Sequence, residues 1–376
     1  MPTNHTSSSS PEVWFVIPSA SPEKCRKVLP IWQKMGYRTA VLQNFEKGDI
    51  PADLTVWSDT YPGWPSSVNW LCKNLLPTDC NLIVTGGDDM LPDPNHSAAQ
   101  LADQFFSRFP DSFGVMQPHA DEYLASRRYC GSPFLGRAFF SSMYQGTGPM
   151  FPNYHHNWAD NELFWVAKAH NALWLRNDLS HYHDHFTRGR SNAQPAYWTS
   201  VKQRDLDDCL LYFARAQTGF AGSTPLDTPT SRNHPFNPDL IDKAEAVILA
   251  KQRLMGIALD NPYAQALSQA LHTCHKNNQH RVAIFGLGAH TRIAAPALFS
   301  PPVEICCIID DNPAHHNTRA WNIPVVSQAK ALELNPDAVI LSAAAVEDEL
   351  WQSSEPLRTA GIPVMRLYAS KQPQPA

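Results

Sequence analysis

The sequence predicts an α/β protein: a mostly parallel sheet with helices on both faces, followed by a second, smaller α/β domain. Three observations point there. From Val13 to Gly87, short apolar runs alternate with helix-like segments, and repeated β–α–β steps imply parallel strands. The same alternation resumes after a polar, proline-rich stretch at Gly222–Pro238. The chain of 376 residues is also too long for one ordinary core, so two domains are expected.

The elements follow in order. "VWFVIPSA" (13–20) is an apolar strand closed by Pro18. "SPEKCRKVLPIWQKMG" reads as a helix with Ser21 at the N-cap, Pro22 at the first helical position and Gly36 as its stop. "YRTAVLQN" and "DLTVWSD" are the second and third strands, "SSVNWLCKNLL" a helix and "NLIVTGG" a fourth strand. From about Asp111 to Arg190 the pattern is irregular, rich in aromatics and in glycine turns such as "MYQGTGPMFPNYHHNWADNEL". Beyond the proline-rich stretch comes a helix with Leu240, Ala244, Val247, Ile248, Leu254, Met255 and Ala258 on one stripe, then a second near 263–275. "RVAIF", "VEICCIID", "AVILSA" and "PVMRLY" are the strands of the second domain. The expected organisation is a disordered tail over 1–11, a first domain over 12–221, a linker with helices over 222–278 and a second domain over 279–370.

Composition excludes several classes. Hydrophobic residues at 43% and charged residues at 17% describe a globular chain. A net charge of −5 offers no footprint for nucleic acid or an anionic membrane. No apolar run approaches the roughly 20 residues of a membrane span, and the polar start lacks the order of a secretory signal. The eight cysteines show no C-x-x-C spacing, which fits a reduced, cytoplasmic protein.

Three motifs carry candidate chemistry in the first domain. In "NLIVTGGDDMLPDPN" (81–95) an apolar strand runs straight into Asp88 and Asp89. Adjacent carboxylates repel and are costly to remove from water, so the pair calls for a cation or for exposure at the strand end. Ligands of such sheets bind at the carboxyl ends of strands, which favours a site. In "WADNELFWVAKAH", Asp160 precedes a helical stretch and suits either an N-cap or a general base, with Glu162 as the second candidate. In "DLSHYHDHFTRGR", a strand carries His181, His183 and His185 on one face. That is a polar edge or the imidazole set of a zinc-dependent hydrolase. Arg188 and Arg190 follow, suited to pairing with phosphate or to an exposed basic turn.

Taken in order, G-G-D-D-M with L-P-D-P, then A-D-N-E-L, then H-Y-H resemble glycosyltransferase family 2 and related enzymes of the GT-A fold, over about Val13 to Arg190. The resemblance implies a GT-A-like sheet and transfer of a sugar from a nucleotide-sugar donor to a carbohydrate or other hydroxyl acceptor, with inversion. It places Asp89 on the family's principal metal-binding acid and Asp88 beside the donor ribose or sugar, while Gly87 stands where D-x-D begins with an acid. Mn²⁺ or Mg²⁺ is the implied cofactor, an ion that needs few protein ligands once phosphate completes its shell. Asp160 falls on the general base, with Ala159 in place of the family's Glu. A histidine of the third motif, His183 ahead of His181, is implied as a metal ligand. Pro18, Ser19, Asn44, Asp59 and Asn69 sit where the family holds the nucleotide, joined by Arg188 as a donor contact. Trp64, Tyr144, Tyr154 and Trp158 are candidates for stacking on sugar faces.

The second domain has its own signal, "VAIFGLGAHTRIA". Gly286 and Gly288 follow a strand and open a helix, Thr291 takes the third small position, and Asp310 ends the next strand near the place of a ribose-binding acid. This resembles the small Rossmann-like domains appended to some glycosyltransferases and sugar-modifying enzymes. A second nucleotide site and a structural role both remain open. So does an oxidoreductase or epimerase centred on "GLGAHT".

Overall fold

The apolar run Val13–Ser19 becomes β1, buried along its whole length, in a computed structural model that describes residues 12–119, 128–184, 198–259, 261–299, 301–321 and 323–368. The expected tail over 1–11, and His185, Arg188 and Arg190, lie outside the described residues. The chain divides into two units, Met1–Ala246 and Val247–Ala376, each mixed α/β around a mostly parallel sheet.

In the first unit, helix α1 (Pro22–Lys34) forms as the sequence reads. Ser21 caps it by accepting from the Lys24 amide, and Gly36 follows with a left-handed φ of 90°. Its Trp32 stacks on Phe15 of β1 at 4.0 Å, at the centre of the core. The seven-stranded sheet has the order β3-β2-β1-β4-β7-β6-β8. Its other strands are β2 (Arg38–Gln43), β3 (Leu54–Trp57), β4 (Leu82–Thr85), β6 (Val115–Pro118), β7 (Phe134–Gly136) and β8 (Leu173–Arg176). Only β7 runs antiparallel to its neighbours. From β1 the chain builds outward first through β2 and β3, then on the other side through β4, so strand order reverses between β1 and β4. Sheets with such a reversal take their ligands at the carboxyl ends of the two strands that flank it.

The irregular middle is more structured than its sequence suggests. A two-stranded ribbon of β5 (Met90–Leu91) and β9 (Tyr182–His183) brings two distant motifs side by side. Helices α2 (Trp64–Asn74), α3 (Ala98–Arg108), α4 (Arg137–Gly146), α5 (Ala159–Ala169) and α6 (Trp198–Gln217) cover the sheet. The proline-rich stretch expected as a linker is bound to this unit. The Leu226 amide donates to Ser142, the Asn237 amide donates to Ala169, and His234 stacks on Phe113 at 4.5 Å.

In the second unit the sheet order is β12-β13-β11-β10-β14-β15. The strands are β10 (Arg281–Phe285), β11 (Glu304–Ile309), β12 (Arg319–Ala320), β13 (Ile323–Val326), β14 (Ala338–Leu341) and β15 (Val364–Arg366). All pair in parallel except β12. The helix Pro262–Lys276 contributes Leu267, Ala270, Leu271 and Cys274 to this unit's core. Of the expected stripe on the preceding helix, Lys243–Leu259, Leu254 is buried while Ile248 and Met255 are exposed; among the described residues the helix also buries Ala246 and Ala250, a four-residue spacing.

Candidate functional site

Strand β4 ends at Thr85, whose Oγ1 donates to the Val16 carbonyl at 2.7 Å and ties the end of β4 to the middle of β1. Gly86 and Gly87 then turn the chain into the acid pair. A Cβ on Gly87 would stand 2.7 Å from Asp89 Oδ1. A side chain at residue 87 would therefore make the Asp89 carboxylate shift.

Asp88 meets the end of β1, where Ser19 Oγ donates to its Oδ2 at 2.7 Å. Lys24, in the first turn of α1, lies 3.4 Å from Asp88 Oδ1 and 3.5 Å from Asp89 Oδ2. Burial raises the Asp88 pKa, the Lys24 charge opposes that, and the Asp89 charge adds to it. From the ribbon, His183 Nε2 comes within 3.1 Å of Asp89 Oδ1, and the Asp184 amide donates to the Asp89 carbonyl at 2.8 Å. His181 has different company. It is buried, with Nδ1 2.8 Å from Ser132 Oγ and its ring edge-on to Trp32. Burial pulls its pKa to about 4, so it is neutral. Of the two described histidines, His183 is the one against the acid pair.

Asp89 Oδ1 and His183 Nε2 are spaced like neighbouring ligands of an octahedral ion with bonds of about 2.1 Å. Among the described residues no group of three or more His, Cys, Asp or Glu forms a metal-holding cluster. An ion that fits would take most of its shell from ligand oxygens.

Asp160 is the second residue of α5, and Trp158, in left-handed conformation at φ 69°, holds the N-cap position without a side-chain bond. The N-cap reading of Asp160 is therefore replaced by a place in the first turn, where its Oδ1 accepts from the Asn161 amide. Burial pushes its pKa up to about 6, and the charges of Asp208 and Asp205 add to the rise. Glu162 is unsuited to act as a base. It is wholly buried, accepts two 2.6 Å bonds from Arg215, and accepts further bonds from Tyr144 and Tyr154 at 2.9 and 2.8 Å. Every lone pair that a proton would need is engaged, so this carboxylate is a structural hub. Tyr144 and Tyr154 are thereby core residues, not sugar platforms.

The remaining candidates divide. Pro18 is buried at the end of β1. Asn44, which follows β2, is 2% exposed, and both its amide atoms lack a partner among the described residues. Beside it Phe45 is 60% exposed and 5.9 Å from Tyr61. Asp59, by contrast, is exposed and accepts from Trp57. Asn69 exchanges two bonds with the backbone of Met150, and its side chain fills the space beside Gly148. That buried amide fixes the glycine turn. Trp64 is buried, its Nε1 donating to the Gly86 carbonyl at 3.0 Å and its amide to His155 at 2.9 Å. It thus links the turn before the acid pair to the loop before Asp160. Lys24 escaped the sequence reading, because in the sequence it is one lysine among several in α1.

In the second unit, Gly286 adopts φ 106°, and Thr291 is buried, donating to the carbonyls of Gly286 and Ser342. Asp310 accepts from the amides of Leu287 and Asn312 at 3.0 Å and sits 2.9 Å from His315 Nδ1. All eight cysteines are free thiols. Among the described residues no helix is long and apolar enough to cross a membrane.

No family model and no curated protein matches the chain. Among solved structures, a mutant of Drosophila beta-1,4-galactosyltransferase 7 in complex with manganese, UDP-Gal and xylobiose is similar at a TM-score of 0.31 and 13% identity, covering 50% of this chain and 79% of that one. The α/β class stands on the two sheets themselves.

Proposed function

We propose that the first unit is a GT-A-like glycosyltransferase that uses a divalent ion and a nucleotide-sugar donor, with inversion at the transferred carbon. The observation that carries this is the meeting of Ser19, Lys24, Asp88, Asp89 and His183 at the reversal point between β1 and β4. Two carboxylates meet an ammonium and an imidazole in a largely buried place, a donor set that suits a divalent cation. Asp89 and His183 would hold it. When bound, Mn²⁺ or Mg²⁺ supplies positive charge to the departing diphosphate.

The chain's own residues supply the rest. Ser19 and Lys24 orient Asp88 toward the donor. Asn44, with its unpartnered amide, and the Phe45–Tyr61 pair offer hydrogen bonds and a ring face to a nucleobase. Asp160 takes the proton from an acceptor hydroxyl. The new bond forms between that oxygen and the sugar carbon as the bond to the diphosphate breaks, its electron pair leaving with the phosphate. Attack from the face opposite the leaving group inverts the centre. With a pKa near 6, Asp160 is ionised at neutral pH yet more basic than an ordinary carboxylate.

The zinc-hydrolase reading loses its ligand set, because His181 is turned into the core. In the second unit, Thr291 and Asp310 serve their own loop, and a nucleotide on Gly286 and Gly288 remains a subordinate proposal. The test is release of nucleoside diphosphate from a panel of nucleotide sugars, with and without Mn²⁺. Metal-dependent release from one donor, lost in Asp89→Asn, is the expected result. Release that ignores chelator removes the metal from the reading.

A further inference from the structure

The loop that leads into α5 is held by two acids from another helix. Asp208 of α6 is 2% exposed and accepts three successive backbone amides: His155 on Oδ1 at 2.7 Å, and His156 and Asn157 on Oδ2 at 2.8 Å each. One turn earlier, Asp205 Oδ1 accepts from Asn157 Nδ2 at 3.2 Å and from Trp158 Nε1 at 3.0 Å. From the opposite side the Trp64 amide donates to the His155 carbonyl, and a Cβ on Gly63 would approach that oxygen to 2.3 Å. The next residue, Trp158, takes the left-handed conformation and starts the helix that carries Asp160.

We propose that Asp208, with Asp205, is a positioning residue for Asp160: the pair fixes the loop His155–Trp158 and so fixes where α5 begins. This rests on the transferase reading and adds to it residues outside the three motifs.

The arrangement is expensive for a merely structural loop. Burial raises the Asp208 pKa to about 6 in spite of its three amide donors, and the Asp205 charge adds to the rise. Only a carboxylate offers acceptors on both oxygens for the three amides, and this one is placed near two other acids. Two such acids close to a third are costly unless the third benefits, and strained electrostatics of this kind gathers at functional sites. The benefit here is twofold. A loop pinned at four points places a carboxylate with the sub-ångström constancy that proton abstraction needs. The charges of Asp205 and Asp208 also make Asp160 a stronger base. The other titratable groups coupled to Asp160 are Tyr212 of the same helix α6 and Cys130. Both are held neutral by burial, so among the described residues Asp208 and Asp205 are the charges named as acting on it.

The experiment compares the full chain with Asp208→Asn and Asp205→Asn, measuring kcat and KM for donor turnover against pH and backbone hydrogen exchange over 155–157. An asparagine at 208 can accept on one oxygen only, so at least one of the three amides loses its partner. Asp208→Asn is expected to lower kcat roughly 100-fold, the scale of a misplaced catalytic group, with donor KM unchanged and faster exchange at 155–157. Asp205→Asn keeps the backbone bonds, so exchange stays slow while the acid limb of kcat moves to lower pH. A limb that stays in place in Asp205→Asn, or a wild-type kcat in a folded Asp208→Asn, overturns the proposal. If Asp208→Asn does not fold, Asp205→Asn decides alone. A wild-type chain that transfers nothing from any donor sinks the transferase reading and this proposal together. An active wild type with unaltered variants sinks only this one.

Discussion

At the β1/β4 reversal of the first unit, polar side chains from four separate segments point at one spot: Ser19, Lys24, the pair Asp88 and Asp89, and His183. The second unit has the same reversal between β10 and β14, but there the polar groups bond one another. His290 lies 3.1 Å from Ser342 Oγ and 2.7 Å from the Tyr368 hydroxyl, Thr291 closes on Gly286 and Ser342, and Asp310 holds the amide of Leu287. Glu347 accepts the amides of Leu367 and Tyr368 and pairs with Arg366. Topology supplies the same strand reversal in both units. In the first it gathers two carboxylates, an ammonium and an imidazole, and in the second it gathers groups that mostly brace their own loops.

That contrast can be broken most forcefully at Asp160. Asp160→Asn should lower turnover by roughly 10²–10⁴-fold while leaving donor affinity near wild type, as single-turnover and binding measurements would show. Its wild-type pKa of about 6 means the base form is lost as pH falls through that value, so kcat should drop on the acid side of pH 6. Next comes Glu162, two residues on but of the opposite kind. Glu162→Gln leaves Arg215 buried against a neutral partner and should cost about 3–5 kcal/mol in denaturant unfolding. Undiminished stability with lost turnover in Glu162→Gln would return this carboxylate to the chemistry.

Smaller effects belong to the second unit. Asp310→Ala deprives the Leu287 and Asn312 amides of their acceptor, which should destabilise that unit by about 1–3 kcal/mol. Turnover should change less than about tenfold, or 1.4 kcal/mol of barrier. A collapse of activity would show that the closed network takes part in the reaction. Deleting the second unit is the broader form of the same test, and the cut belongs near Ala246. A fragment ending near Asn278 would retain the helix Pro262–Lys276 without the strands it packs on. The subtlest effect is on stability. Because the folded-state pKa of Asp160 lies above the ordinary 3.8, its contribution to stability falls as pH rises from about 4 to 6. Asp160→Asn should therefore melt higher, relative to wild type, at pH 7 than at pH 4.

The first α/β series was legible because its signals are local. Ser21, Pro22 and Gly36 bound α1, and the apolar run of β4 ends at visible glycines. Asp88 and Asp89 were found as strand-end acids for that reason. What joins the site is not local. The ribbon that brings His183 to Asp89 consists of two-residue strands, too short to leave a pattern. The same brevity defeats the alternation argument for His181, which lies just outside β9 and turns inward. Glu162 and Asn69 look like site residues in a string of letters, and only Arg215 and Met150, distant in the chain, show them to be internal. Lys24 is the opposite case, a site residue that reads as an ordinary helix lysine.

On the proposed reading, the acid pair takes a nucleoside diphosphate through a divalent ion. Calorimetric titration of the full chain with nucleoside diphosphates, in Mn²⁺ and in excess chelator, tests it most directly, with Asp89→Asn and His183→Ala alongside. One nucleotide should bind in Mn²⁺ and lose most of its affinity in chelator, and both variants should behave in Mn²⁺ as the wild type does without it. Equal affinity with and without metal, unaffected by Asp89→Asn, would contradict the account and leave Lys24 as the cation that answers the pair.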